Sequence, residues 1–401
     1  MIPFSPPRID DKICNEVVAA LKSGWITTGP RTKTFEKKIT EYCGHAATLC
    51  LNSATAGLEI MLRWFGVQEG DEVILPAYTY SATANVVIHC GATPVFVDVN
   101  AHDFNISVAA IEAAITECTK VIMPVDFAGW PCDYDEINAL VQKHKQKFMA
   151  RTNEQKGLGR ILVLSDSAHS FGASYKGKKT GALTDVSVFS FHAVKNLTTA
   201  EGGAVALNLP APFDNQALYQ ALCVKTLHGQ NKDALAKTQK GNWRYDIVEA
   251  GYKCNMTDLS AAIGLIELER YDNDTLKRRK AICDLYNTLL SAEPRCELPV
   301  FETPEKKSCW HLYPLRIKGI SEEQRDAVMR EIFEQEVSVN VHFITVPAMS
   351  FYKGLGYSMS NYPTTYANYS REISLPVYYD LSDEQVKTVV NAVLSAIKKV
   401  C

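Results

Sequence analysis

Between about residue 48 and residue 207, short β-branched runs alternate with longer stretches of helical period, and this alternation leaves few folds open. It is how a mostly parallel sheet wrapped in helices is written. The strand candidates are Thr48 to Asn52, Glu72 to Pro76, Pro94 to Asp98, Val121 to Val125, Ile161 to Ser165, Val186 to Phe191 and Gly203 to Leu207. Helical patterns lie between them at Ala56 to Phe65, Ser81 to His89, Val108 to Thr116 and Asp135 to His144. Such crossovers make right-handed βαβ units, whose ligands gather at the carboxyl ends of the strands. Asn52 to Thr55, Tyr78 to Tyr80, Asp166 to His169 and Lys195 are therefore expected to converge on one crevice.

The remaining chain is read more coarsely. Lys145 to Arg160 is polar, basic and weakly periodic, and reads as a solvated surface loop. Gly229 to Trp243, rich in Lys, Gln and Asn, reads as irregular. A long helical pattern runs from Thr257 to about Leu290, interrupted only by charged residues. Beyond it, the β-like stretches His311 to Lys318 and Ser338 to Phe343, with helical patterns Glu322 to Gln335 and Glu384 to Lys399, predict a smaller α+β domain. The expected division is residues 1–250 as the large domain and 251–401 as a linking helix with the small domain. We find no internal repeat.

Composition narrows the function classes. With 46% hydrophobic residues over 401 positions the chain can bury two cores, and a formal charge of −3 offers no basic face for nucleic acid. No apolar run approaches the roughly 20 residues needed to cross a bilayer. The start, Met1-Ile-Pro-Phe-Ser-Pro-Pro-Arg8, lacks the charged-then-apolar pattern of a signal peptide, which predicts a cytoplasmic protein. Twelve cysteines are scattered with no CxxC pair, so they read as small hydrophobes, and no metal site is expected.

The chemistry centres on Phe189-Ser-Phe-His-Ala-Val-Lys195 and the following Glu201-Gly-Gly203. A lysine just past a strand end, with hydroxyls nearby, supplies the Schiff-base partner and the anion site that pyridoxal phosphate requires. That cofactor also needs an acid for its ring nitrogen. Asp166 follows the apolar run Ile161 to Ser165 and fits the role, or it caps a turn. Asn52-Ser-Ala54-Thr55-Ala56-Gly57 sits at a strand-to-helix junction, where free amides and the helix dipole draw a phosphate. Ser190 can add a hydroxyl. No Gly-Lys-Ser/Thr follows, which disfavours a nucleoside triphosphatase. Tyr80 can stack on the cofactor ring or belong to the core, and His169 can contact the ring or be structural.

These segments resemble the sugar-nucleotide aminotransferases of the DegT/StrS type, within the fold-type I pyridoxal phosphate enzymes. The resemblance also covers Ser23-Gly-Trp-Ile-Thr-Thr28-Gly29-Pro30, His228-Gly229, Gly251-Tyr-Lys-Cys-Asn255-Met-Thr-Asp258 and Leu375-Pro-Val-Tyr-Tyr379. It implies that Lys195 bonds the cofactor and that Asp166 pairs with the pyridine nitrogen. It implies that Tyr80 and His169 hold the ring, that Ala54, Thr55 and Ser190 bind phosphate, and that Thr28, Gly29 and His342 meet substrate. The Gly251 to Asn255 segment is implied to reach the neighbouring subunit of a homodimer. Many members carry asparagine where Lys253 stands, which leaves either Lys253 or Asn255 to make the phosphate contact. The variants here are most similar to the branch aminating 4-keto, 6-deoxy sugars of UDP-linked intermediates, with L-glutamate as donor, for cell-surface polysaccharide or lipopolysaccharide precursors.

Two other readings compete. A sugar dehydratase of the same fold typically replaces the cofactor lysine by histidine, and Lys195 is present. A regulatory protein that binds the cofactor without turnover would be expected to carry a helix-turn-helix segment or a basic stripe, and we find neither in the sequence.

Overall fold

The computed structural model describes residues 1–232 and 244–401. Seven strands form its central sheet: β1 (Ala47–Leu51), β2 (Glu72–Pro76), β3 (Thr93–Val97), β4 (Thr119–Ile122), β5 (Leu162–Asp166), β6 (Val186–Ser190) and β7 (Gly203–Leu207). Their order across the sheet is β1-β7-β6-β5-β4-β2-β3. The pairs from β3 through β6 are parallel, and β7 alone runs against its two neighbours, β6 and β1.

Apolar residues run almost unbroken along these strands because both faces are covered. Val73, Leu75, Leu162 and Leu164 belong to one packed layer, whereas Ile74, Ile122 and Val163 belong to the layer on the other face. Adjacent residues thus serve opposite cores, as strand geometry demands. The helices that cover them include Ala54–Trp64, Ser81–His89, Val108–Ala114 and Tyr134–Lys143. Strand ends depart from the sequence expectation by up to three residues. β4 stops at Ile122, ahead of the expected Val125, because Pro124 has no N–H to continue the ladder.

Three expectations need correction. Lys145 to Arg160 is not a plain solvated loop. It holds a helix, Asn153–Leu158, capped by the Thr152 side chain, with Gln155 buried and its amide donating to the Phe65 carbonyl at 3.0 Å. The pattern from Thr257 to Leu290 is two helices, Asp258–Glu269 and Leu276–Leu290, joined by a π-type turn over Tyr271–Thr275. Ser338 to Phe343 makes only one bridge, Asn340 to Ser374, because the amides of Val341 and His342 bond to the side chains of Asn340 and Glu372 instead of a strand. The Gly229 to Trp243 reading lies largely outside the described residues.

The C-terminal part is built on an antiparallel sheet of β8 (Cys296–Glu297), β9 (Tyr313–Ile317) and β10 (Glu372–Leu375). Helices Glu322–Phe333 and Asp383–Val400 pack together beside it, each opened by a serine capping box, at Ser321 and Ser382. A small sheet of Ser174–Tyr175, Lys178–Lys179 and Lys306–Lys307 ties this part back to the loops after β5. Eight of the twelve cysteines are buried, and all are free thiols. Among the described residues no helix is long and apolar enough to cross a membrane.

Candidate active site

At the carboxyl ends of β1, β5 and β6 lies a cleft of about 390 Å³. Its lining includes Ala54, Thr55, Tyr80, Asp166, His169, Ser190, Lys195 and His342. Eight of the residues singled out in the sequence are therefore brought together.

The helix start that follows β1 has free amides that could hold an anion. Ser53 caps the helix Ala54–Trp64 by accepting from the Ala56 amide at 3.1 Å, which leaves the Ala54 and Thr55 amides without an acceptor among the described residues. The first residue of β7 runs directly under this helix start. A Cβ on Gly203 would lie 2.4 Å from the Ala54 nitrogen, so only glycine permits the approach. A Cβ on Gly57, one turn on, would lie 2.9 Å from the Val188 side chain and 3.0 Å from that of Val205. Ser190, the last residue of β6, faces the same cleft.

Two of the titratable groups, Lys195 and His169, have a nitrogen without a partner among the described residues. Lys195 makes no hydrogen bond or ion pair through its amine among the described residues. Burial pulls its ammonium down to about 8, against the opposing pull of Asp166. Asp166 is buried at the end of β5, accepting from the Thr83 hydroxyl at 2.7 Å and the Ala168 amide at 3.2 Å. Burial raises its pKa despite those two bonds and the nearby Lys195. His169 is buried, with Nδ1 lacking any partner among the described residues. Burial, with Lys195 and His342 adding repulsion, keeps its ring neutral. His342 is likewise held neutral, down to about 3. Tyr80 is 59% exposed at the cleft mouth, 5.8 Å from the Phe343 ring, which removes the alternative that it is core.

Sequence reasoning missed several cleft residues. His311 is buried 4.3 Å from His169, centroid to centroid, and its Nδ1 lies 2.8 Å from Asn196 Oδ1. Phe343 leans on the His169 ring at 5.5 Å. Phe4 stacks on His342 at 5.5 Å, bringing the N-terminal segment into the wall. The placement of His311 rests on Asn196, which also donates to the Cys309 carbonyl at 2.7 Å, and so depends on the C-terminal part.

Thr28, Gly29, Lys253 and Asn255 are not among the residues lining this cleft. They form a cluster of their own. The Asn255 amide donates to Thr28, the Lys253 ammonium donates to Asn255, and the Gly29 amide is held by Asp258 at 2.8 Å. A second cavity, about 310 Å³, lies behind Phe127. Its cationic groups are paired, Lys306 with Asp133 and Arg316 with Glu297.

An amide cradle that a Cβ would fill, an orphaned buried imidazole nitrogen, a buried carboxylate and an unpaired amine together suit a group carrying a phosphate, a polar ring and an aldehyde. Known proteins agree. Residues 7–394 match the model of the DegT/DnrJ/EryC1/StrS aminotransferase family. SpsC of Bacillus subtilis, a spore coat polysaccharide biosynthesis protein, is 36% identical over 99% of this chain and 97% of its own. Spr1654 of Streptococcus pneumoniae, described as a sugar aminotransferase and solved in a PMP form, superposes with a TM-score of 0.96 at 46% identity over the full length of both chains. Its PLP form gives 0.95 at 44%, over 100% of this chain and 99% of its own. PseC of Helicobacter pylori, an aminotransferase of pseudoaminic acid biosynthesis, gives 0.85 at 27%, covering 99% of each chain. With the family model spanning nearly every residue, the chain belongs to the DegT/DnrJ/EryC1/StrS aminotransferase family.

Proposed function

We propose that this protein is a pyridoxal phosphate-dependent aminotransferase. It moves an amino group from L-glutamate to C4 of a nucleotide-linked 4-keto, 6-deoxy sugar. The single observation carrying this reading is the unpaired Lys195 amine and the buried Asp166 carboxylate lining one cleft with the free amides of Ala54 and Thr55.

Pyridoxal phosphate, when bound, supplies an aldehyde for amine exchange and a ring that withdraws electrons from the carbon being deprotonated. The chain does the rest. The Ala54 and Thr55 amides, with the Thr55 and Ser190 hydroxyls, hold the phosphate. Asp166, fixed by Thr83, supplies the carboxylate that keeps the ring nitrogen charged. His169, Tyr80 and Phe343 confine the ring. Lys195, with its ammonium near 8, has a neutral fraction at neutral pH and can take a proton from one carbon and return it to another.

Thr28, Lys253 and Asn255, with Gly29 buried beside them, form one patch that serves the partner's cleft in a homodimer, with His342 meeting the sugar. A cytoplasmic location suits a nucleotide-activated substrate, and the likeness to SpsC favours precursors of cell-surface polysaccharide. The presence of Lys195 favours amination over dehydration.

The test is a panel of UDP-, dTDP- and GDP-linked 4-keto sugars scored for glutamate-dependent amination. One of them is expected to be converted with release of 2-oxoglutarate. Release of 2-oxoglutarate with no sugar aminated would refute the acceptor assignment.

A further inference from the structure

His342 lines the cleft on one side and is anchored from behind on the other. Its Nδ1 lies 2.9 Å from Ser374 Oγ, the Ser374 hydroxyl bonds Glu372 Oε1, and the His342 backbone amide donates to Glu372 Oε2 at 3.0 Å. Glu372 and Ser374 are fully buried and two residues apart on β10, so their side chains share one face. The ring's other nitrogen, Nε2, has no partner among the described residues.

A hydroxyl carries one hydrogen and can donate it in one direction only. With Glu372 ionised, Ser374 donates to the carboxylate and its oxygen accepts from Nδ1–H of His342, which leaves Nε2 bare. With Glu372 neutral, Oε2 is already engaged by the His342 amide. The acid hydrogen then stays on Oε1 and is donated to the Ser374 oxygen, Ser374 donates its own hydrogen to Nδ1, and Nε2 carries the ring hydrogen. We propose that Glu372 and Ser374 are positioning residues that choose the tautomer of His342, so that the hydrogen on Glu372 decides whether the cleft meets a donor or an acceptor at Nε2.

The surroundings support the switch. Burial lifts Glu372 to about 8, opposed by the Ser374 hydroxyl, the His342 amide and the guanidiniums of Arg325 and Arg316. Tyr78 faces the same site, donating its hydroxyl to the His342 carbonyl, and Lys195, His169 and His311 face His342 across the cleft. His342 itself remains neutral throughout. The raised Glu372 is neutral below about 8, giving a donor at Nε2, and ionised above it, giving an acceptor. A donor there suits a carbonyl or phosphate oxygen of the acceptor substrate. That consequence rests on the proposed function, whereas the relay does not.

The relay is tested without any sugar, by nitrogen NMR of the full chain carrying labelled histidine, with His342 assigned by its loss in His342→Ala. The expected result is Nε2–H at about pH 6.5 and Nδ1–H at about pH 9.5. In Glu372→Gln the side-chain carbonyl must take the His342 amide and the NH₂ must face Ser374, so Nε2–H is expected at both values. In Ser374→Ala the pH dependence is expected to vanish. A wild-type tautomer that does not change, or a change that survives in Ser374→Ala, would overturn the proposal. An unchanged wild-type tautomer overturns the proposal even where Ser374→Ala fails to fold, and Glu372→Gln then tests the relay in its place.

Discussion

Two cavities of similar size, about 390 and 310 Å³, differ in what their walls have left over. The lysine cleft holds an unpaired amine, an orphaned imidazole nitrogen and a carboxylate whose pKa is raised by burial. Behind Phe127, Lys306 and Arg316 are each matched by a carboxylate. Both spaces are concave and largely apolar, so volume does not distinguish them. What distinguishes them is unmet polar capacity: a buried group without a partner costs about 1–3 kcal/mol, a cost that a bound ligand can offset.

The comparison breaks most readily at Lys195. Lys195→Ala is expected to lower multiple-turnover transamination by at least about 10³-fold, since it removes the group proposed as both covalent anchor and proton carrier. A variant retaining wild-type turnover would move the chemistry elsewhere.

Asp166→Asn comes next, with kcat expected to fall about 10²–10³-fold as an electrostatic partner of the reacting system is lost. It also sharpens the pH dependence. Capture of pyridoxal phosphate by the apoprotein should accelerate as pH rises through about 8, where the Lys195 ammonium loses its proton. Asp166 is the group that raises that value, so the inflection is expected to shift downward in Asp166→Asn.

A smaller effect is expected at Gly203→Ala. The added methyl would sit 2.4 Å from the Ala54 nitrogen and push the helix start off the strand. Overpacking of this kind costs about 1–3 kcal/mol, read as a lower melting temperature, and a roughly tenfold weaker affinity for pyridoxal phosphate is expected with it. Smallest of all is Val300→Asp at the mouth of the second cavity, 61% exposed. Its kcat/KM should stay within about twofold of wild type, and a large loss there would erase the contrast between the two cavities.

How much of this was legible in the sequence follows from where the information sits. Lys195, Asp166, Ser190 and the Asn52 to Gly57 junction lie at strand ends, and the strands are readable because each is a local apolar run. Even β2 and the helix Ser81–His89 have the expected bounds. His311, Phe343 and Phe4 enter the cleft only when the C-terminal part and the N-terminal segment pack against the sheet, and no local period encodes that. The helix Asn153–Leu158 was hidden because its apolar face is nearly absent, although Thr152 three residues before Gln155 is a helix-start pattern. The relay behind His342 was invisible for a related reason. Glu372 and Ser374 read as ordinary polar positions until β10 buries them against His342.

The most direct test of the central claim is borohydride reduction of the protein loaded with pyridoxal phosphate, followed by peptide mass spectrometry. A pyridoxyl group is expected on Lys195, absent when L-glutamate is added before reduction. Modification of another lysine, or a Lys195 adduct that glutamate does not prevent, would contradict it.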